Sequence, residues 1–413
     1  MSPLSGWLFD WPAAREELPS VMVESSAGPI AALYVHVPFC VRKCLYCAFY
    51  SEPSSAALVD RFVTALVREL ELVAADLRPR TIYFGGGTPS LLNPRQWERV
   101  LGAMAQLGLG GAGEWTVEGN PATLSLDKAK LLRSGGVNRV SLGVQSFDPT
   151  LLDRLGRVHT RQMAFRSFDV LRQSGFDNLN LDLMFGIPGQ TLEVWRETLS
   201  EALAMGSEHL SCYEVIYEED TPLYEQLHAG KADADEDLAC AMYEALVERA
   251  TNAGLQQYEV ANFARTRTLH HEPSAINLPD RACLHNVNYW RGRPFYGLGP
   301  SATSYVRGVR TRNWANTPLY CEQLEQGRRA IESCEELAPL ARAGETAAFG
   351  LRMVEGWPFE QFRQVTGYDL RRDWADDMHQ LVQQGWGRLL PDRFHLTPQG
   401  LRFADGAAQL FLR

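Results

Sequence analysis

The chain has 413 residues, 45% of them apolar and 22% charged, with a formal net charge of −10. That length predicts two or three packed domains, and the composition excludes a disordered chain. The acidic balance argues against a general nucleic-acid binder, which needs a basic face. No apolar run reaches the roughly 18 residues of a membrane span. The first residues also lack a basic-then-apolar leader, so a cytoplasmic protein is expected, with at most transient membrane contact.

From residue 31 onward, β-rich runs alternate with amphipathic stretches. The predicted strands are 32–37, 81–84, 114–119, 138–145, 178–185 and 209–216, with predicted helices at 57–77, 94–107, 125–133, 161–174 and 191–205. In the first helix Leu58, Phe62, Ala65, Leu66, Leu70 and Val73 follow the i, i+3, i+4 spacing of one buried face. Such alternation implies right-handed βαβ units and a parallel sheet, in the α/β class. Six units are too few for a closed eight-strand barrel and suit an open, partial (β/α)6 one, whose chemistry belongs at the carboxyl ends of its strands.

A helix at 236–253 and a strand at 257–263 follow, and then a polar stretch at 265–281 with Pro273 and Pro279 reads as a linker. Beyond residue 337 come helices to 353, at 359–365 and at 370–383, then a short hairpin and a last helix. This predicts a smaller, mainly helical, winged-helix-like domain. Its nine basic and nine acidic residues from position 340 give DNA binding no electrostatic support, which leaves a packing or lid role. The expected organisation is an N-terminal extension (1–30), a barrel (31–265), a linker and motif region (266–336) and the C-terminal domain (337–413).

Three of the eight cysteines, Cys40, Cys44 and Cys47, crowd into CVRKCLYC just after the first predicted strand, while Cys212, Cys240, Cys283, Cys321 and Cys334 are scattered. Clustered thiols point to a metal rather than a disulfide framework. They fit a tetrahedral zinc completed by His36 or Cys283, or a four-iron cluster with one iron left open, and spacing alone leaves both readings standing. Gly85, Gly86 and Gly87 end the second predicted strand, where missing side chains permit either a tight turn or close approach to a ligand. Glu118, Gln145, Arg157 and Asp182 lie at or beyond strand ends, as structural polar groups or as parts of a catalytic rim.

The segment YVHVPFCVRKCLYCAFY resembles the cluster loop of radical S-adenosylmethionine (SAM) enzymes. The branch is that of oxygen-independent coproporphyrinogen III dehydrogenase (HemN) and the HemW-type heme chaperones. HemN has a further cysteine where this chain has Phe49, as HemW-type proteins do. The resemblance implies a partial radical-SAM barrel with a [4Fe-4S] cluster on Cys40, Cys44 and Cys47. It implies SAM contacted by Gly85, Gly86, Gly87, Thr88, Glu118, Gln145, Arg157 and Asp182, with Tyr34 and Tyr46 as further contacts. His285, Asn286, Tyr289 and Trp290 reproduce an HNxxYW element associated with heme, which implies His285 as a heme contact.

The function so implied is a heme chaperone whose partners are heme and acceptor apo-hemoproteins, respiratory ones among them, with a homodimer as a further expectation. The alternative is a radical enzyme of the HemN family, a dehydrogenase or a methyltransferase. Departures from the branch are Thr303 where a histidine is common, Leu45 and Ala48 in place of proline and aspartate, and a longer segment before His285 that carries His270, His271 and Cys283.

Overall fold

The computed structural model describes residues 28–230, 234–266 and 278–413. Residues 1–27 of the N-terminal extension, with Trp7, Phe9 and Trp11, and the pair His270 and His271 lie outside the described residues, and Ile30 at the extension's end already belongs to the first strand. Strands β1 (Ile30–Val37), β2 (Leu77–Gly86), β3 (Glu114–Gly119), β4 (Arg139–Gln145), β5 (Leu179–Phe185) and β6 (His209–Glu214) run parallel in sequence order. Between them lie α1 (Ala56–Val73), α2 (Pro94–Gln106), α3 (Leu126–Ser134), α4 (Arg161–Gln173) and α5 (Leu192–Ala204), and α6 (Glu236–Asn252) follows. Each of these helices begins at a side chain that accepts from its first turn, namely Ser55, Asn93, Ser125, Thr160, Thr191 and Asp235. Such caps stabilise a helix by about 1 kcal/mol each.

Along most of their length the six strands alternate, with Ala32, Gly143 and Met184 as non-polar members of the inner set. Leu33, Val35, Ile82, Phe84, Val117, Val140, Leu142, Leu181, Leu183 and Leu210 are at most 1% exposed and share one apolar cluster with helix residues such as Phe62, Leu66, Trp97 and Trp195. Burying each such side chain contributes roughly 1.5–3 kcal/mol. The residues between them are Tyr34, His36, Thr81, Tyr83, Glu114, Thr116, Glu118, Arg139, Ser141, Asn180, Asp182, His209 and Ser211. A parallel sheet covered by apolar layers on both faces would read as continuous apolar runs. Here one face meets the helices and the other lines a polar lumen.

Three expectations are corrected. Helix 57–77 stops at Val73, because Leu77 opens a ten-residue strand whose first half, with Pro79 and two arginines, lacks a β signature. The strand at 257–263 is a hairpin, β7 (Leu255–Glu259) and β8 (Asn262–Arg265), turned through the left-handed Ala261 (φ 79°) and added antiparallel to β6. Helix 370–383 breaks at Trp374, whose buried indole donates to the Phe411 carbonyl.

The region read as linker and motif also builds structure. It carries α7 (Leu284–Trp290) and β9 (Tyr296–Leu298), which pairs parallel with β1 at the opposite sheet edge. The C-terminal helices and a three-stranded antiparallel sheet (Trp357–Pro358, Arg393–Leu396, Gly387–Leu389) enclose a separate core around Trp357, Phe362, Trp374 and Phe394. Among the described residues no helix is long and apolar enough to cross a membrane.

Candidate cluster and cofactor site

The cysteine loop leaves the carboxyl end of β1 and is tied down by its backbone. Glu52 N–H donates to the Pro38 carbonyl (2.8 Å), Leu45 N–H to Leu155 (3.0 Å), Leu223 N–H to Leu45 (2.9 Å) and Cys47 N–H to Cys44 (3.2 Å). A proline at position 45 could not make the second of these bonds, so the departure at Leu45 adds an anchor. The three thiols are half-buried and form no disulfide. Cys40 Sγ lies 3.6 Å from Thr88 Oγ1, and Arg157 Nη1 donates to Cys44 Sγ at 3.5 Å. Burial, with Cys44 and Cys40 adding, pushes the Cys47 thiol up to about 11.

Among the described residues no three His, Cys, Asp or Glu side chains stand in closed metal-ligand geometry. The donor set nevertheless fits an iron–sulfur cluster: three soft sulfurs in one loop, beside a fixed cation. It fits zinc poorly. His36 Nε2–H donates to the Tyr50 carbonyl (2.8 Å) and Nδ1 accepts from Tyr34 O–H (3.1 Å), while Cys283 sits against Glu114 at the other end of the barrel. Both candidates for a fourth zinc ligand are therefore engaged elsewhere.

Next to the loop, glycines let the end of β2 pack backbone to backbone. A Cβ on Gly86 (φ 104°) would lie 2.5 Å from the His36 ring, and one on Gly87 2.7 Å from the Phe39 carbonyl. Gly87 and Thr88 N–H groups donate to the Val37 and Phe39 carbonyls (2.8 Å each). The Gly86 amide bonds Glu118, and Tyr83 O–H donates to Glu118 Oε1 at 2.8 Å. Burial, then the neighbouring Asp182, pushes Glu118 up to about 8, so its carboxyl is mostly protonated at neutral pH. Asp182 is also raised by burial, and accepts from Ser141 O–H (3.2 and 3.1 Å) and Asn180 Nδ2 (2.8 Å).

Gln145 ends β4 with φ 63°, a left-handed conformation uncommon for a residue with a side chain. Arg157 reaches from Cys44 to the Gly143 carbonyl (2.5 Å), and its Nε is buried without a protein partner. Tyr46 packs on an apolar cluster of Leu151, Leu155, Met184, Ile187, Val215 and Leu223. Tyr34 stacks with Tyr83 at 6.3 Å. Cys40, Cys44, Cys47, the Gly85–87 motif, Thr88, Glu118, Gln145, Arg157, Asp182, Tyr34 and Tyr46 are thus gathered on one rim and the upper lumen below it.

His285 is not among them. Helix α7 plugs the amino end of the barrel, where the carboxylate of Glu114, first residue of β3, accepts from Leu284 N–H (2.8 Å) and His285 N–H (2.9 Å). The His285 ring is 1% exposed, with Nδ1 3.0 Å from Thr81 Oγ1 and Nε2 2.8 Å from Tyr289 O–H. Burial lowers it to about 3. Both ring nitrogens thus have protein partners, and the ring lies among Tyr34, Tyr83 and Tyr289 inside the barrel. From the other end of α7, Arg291 pairs with Glu355 (3.3 Å) and the Gly356 carbonyl, joining the plug to the C-terminal domain. Glu114, Thr81, Tyr83 and Arg139 were missed by motif reading. Their signal was a polar residue at alternate positions along most of each strand.

Residues 34–202 match the radical SAM superfamily model and residues 337–403 the HemN C-terminal domain model. The protein named heme chaperone HemW of Bacillus subtilis is 31% identical, over 92% of this chain and 98% of that one. The HemW proteins of Lactococcus lactis and Escherichia coli are each 32% identical, covering 92% and 93% of this chain and 96% and 98% of theirs. Among solved structures, coproporphyrinogen III oxidase (HemN) from Escherichia coli aligns with a TM-score of 0.77 at 22% identity, covering 93% of this chain and 90% of that one. The likeness to HemN is one of fold.

Proposed function

This chain belongs to the HemW family within the radical SAM superfamily, and from that premise we propose that it is a heme chaperone. It binds heme and hands it to apo-hemoproteins in the cytoplasm. The observation that carries this reading is coverage: the similarity to relatives named heme chaperones spans barrel and C-terminal domain together, over 92% of the chain.

Cys40, Cys44 and Cys47 hold a [4Fe-4S] cluster, and SAM lies against Gly85, Gly86, Gly87 and Thr88 within reach of Glu118, Gln145, Arg157 and Asp182. A cluster held by three thiolates keeps one iron open to SAM and, when reduced, can supply an electron to it. Arg157 donates to Cys44 and ties the loop to β4, and its unpartnered Nε is a donor free for an acceptor on the ligand. Glu118, protonated when the site is empty of cations, gives up its proton if a positive group settles beside it. Tyr34, stacked on Tyr83, and Tyr46, packed on its apolar cluster, are further contacts for SAM.

The test is anaerobic reconstitution of the cluster, addition of heme, removal of excess by gel filtration, and then mixing with an apo-hemoprotein. Stoichiometric Soret absorbance that moves to the acceptor is expected. Heme that passes straight through the column, or robust decarboxylation of coproporphyrinogen III, would sink the chaperone reading in favour of an enzyme.

A further inference from the structure

The rings of His285, Tyr83 and Tyr34 form one cluster inside the barrel, in which Tyr34 also lies 6.5 Å from His285. His285 stacks with Tyr83 (centroids 5.3 Å, planes 28° apart), and Tyr83 stacks with Tyr34 (6.3 Å, 29°). Tyr83 then spends its hydroxyl on Glu118 Oε1 at 2.8 Å. This pair has no slack above it, since a Cβ on Gly85 would lie 2.9 Å from the Tyr83 ring and 3.0 Å from the Glu118 carboxyl. Below, the His285 ring is fixed by Thr81 and Tyr289, and its backbone by Glu114. A displacement of the His285 ring therefore reaches the glycine motif through only two side chains.

We propose that His285 is a positioning residue for SAM: through Tyr83 it holds the Glu118 carboxyl and the Gly85 backbone where SAM meets them. The HNxxYW helix is then the floor of the cofactor site. The proposal rests on the reading of Glu118 as a SAM contact. It assigns His285 no bond to heme iron.

The experiment uses the full chain with its cluster reconstituted. SAM affinity is measured by equilibrium dialysis and by the change in the reduced cluster's EPR spectrum on SAM addition, with retained heme and bound iron measured in parallel. His285→Ala is expected to weaken SAM binding about tenfold, an estimate equivalent to ~1.4 kcal/mol, while iron and heme content stay at wild-type levels. His285→Gln, whose planar amide can still bond Thr81 and Tyr289, should recover most of the affinity. Tyr83→Phe should weaken SAM binding similarly, and the double variant should lose little more, as expected for two residues acting in series.

Wild-type SAM affinity in a folded His285→Ala protein would overturn the proposal. So would loss of heme with SAM binding intact, which would return His285 to the role of axial ligand. If the alanine variant does not fold, the glutamine and Tyr83→Phe variants decide by the same readouts. Glu118→Gln separates the two layers. If it leaves SAM binding unchanged, the site reading falls and takes the proposal with it, whereas weakened binding there beside an unaffected Tyr83→Phe overturns the proposal alone.

Discussion

The two ends of the barrel are built on opposite principles. At the rim the cysteine loop is held by scattered backbone bonds, its thiols are half-buried, Gln145 is left-handed, and Arg157 keeps a donor without a protein partner. At the floor the same strands carry Thr81, Glu114, Arg139 and His209, and the helix that meets them finds its first amides and its histidine ring already paired. A binding site needs unsatisfied groups, which cost stability, and the paired helix amides and histidine ring of the floor offset that cost, although Arg139 Nε there is also buried without a partner. The lesson concerns motifs as well. The two most recognisable elements of this chain, the cysteine triplet and HNxxYW, lie at opposite ends of one lumen.

Substitutions that hit one end and spare the other break the comparison most directly. The largest expected effect is at the rim: Cys44→Ala should abolish the cluster's visible absorption and reduce bound iron severalfold after reconstitution, with far-UV circular dichroism unchanged. His285→Ala should keep both iron and absorption. Equal loss of iron in the two variants would mean that the ends are not independent.

At the floor, Glu114→Ala strips the acceptor from two helix amides, that of His285 buried and that of Leu284 partly so. It should destabilise the protein by about 3 kcal/mol, read as a lower unfolding midpoint in denaturant. Arg139, buried in the same layer, would also lose the charge of a neighbouring carboxylate. An unchanged midpoint would show that the plug contributes little to the fold.

The smallest effect is a pair of opposed pH limbs. His285 is lowered from 6.5 to about 3, so it stays neutral in the fold but takes a proton in the unfolded chain below about pH 6.5. Its stabilisation is present above that pH and lost as pH falls toward 3. Glu118 is raised from 4.5 to about 8, so its contribution is full below pH 4.5 and lost as pH rises through 8. Thermal melts from pH 5 to 8.5 should therefore show His285→Gln flattening the acid limb and Glu118→Gln the alkaline one. A mutant curve parallel to wild type would remove that residue from its limb.

Much of the site was legible because its chemistry is local. Cys40, Cys44 and Cys47 share one loop, and Gly85–Thr88 share one strand end, so spacing alone brings each group together. Glu118, Gln145 and Asp182 could be placed on the rim because parallel strands put their carboxyl ends side by side. The plug was not legible, since α7 lies far along the chain from Thr81 and Glu114, and no periodicity encodes a contact of that range. A histidine beside a tyrosine and a tryptophan reads by itself as a core residue, and only the family resemblance pointed His285 toward heme.

The sequence by itself determined the alternation of strand and helix, the thiol triplet, the glycine turn and the alternating polar residues along most of each strand. These follow from steric and hydrogen-bonding rules that act within a few residues. Only the tertiary structure decided that those polar positions form one lumen, that Glu118 is held near neutrality by Asp182 and burial, and that His285 closes the floor rather than facing solvent. Electrostatic environment and burial depend on which distant segments share a low-dielectric interior, and that is fixed by how the sheet curls and what fills it.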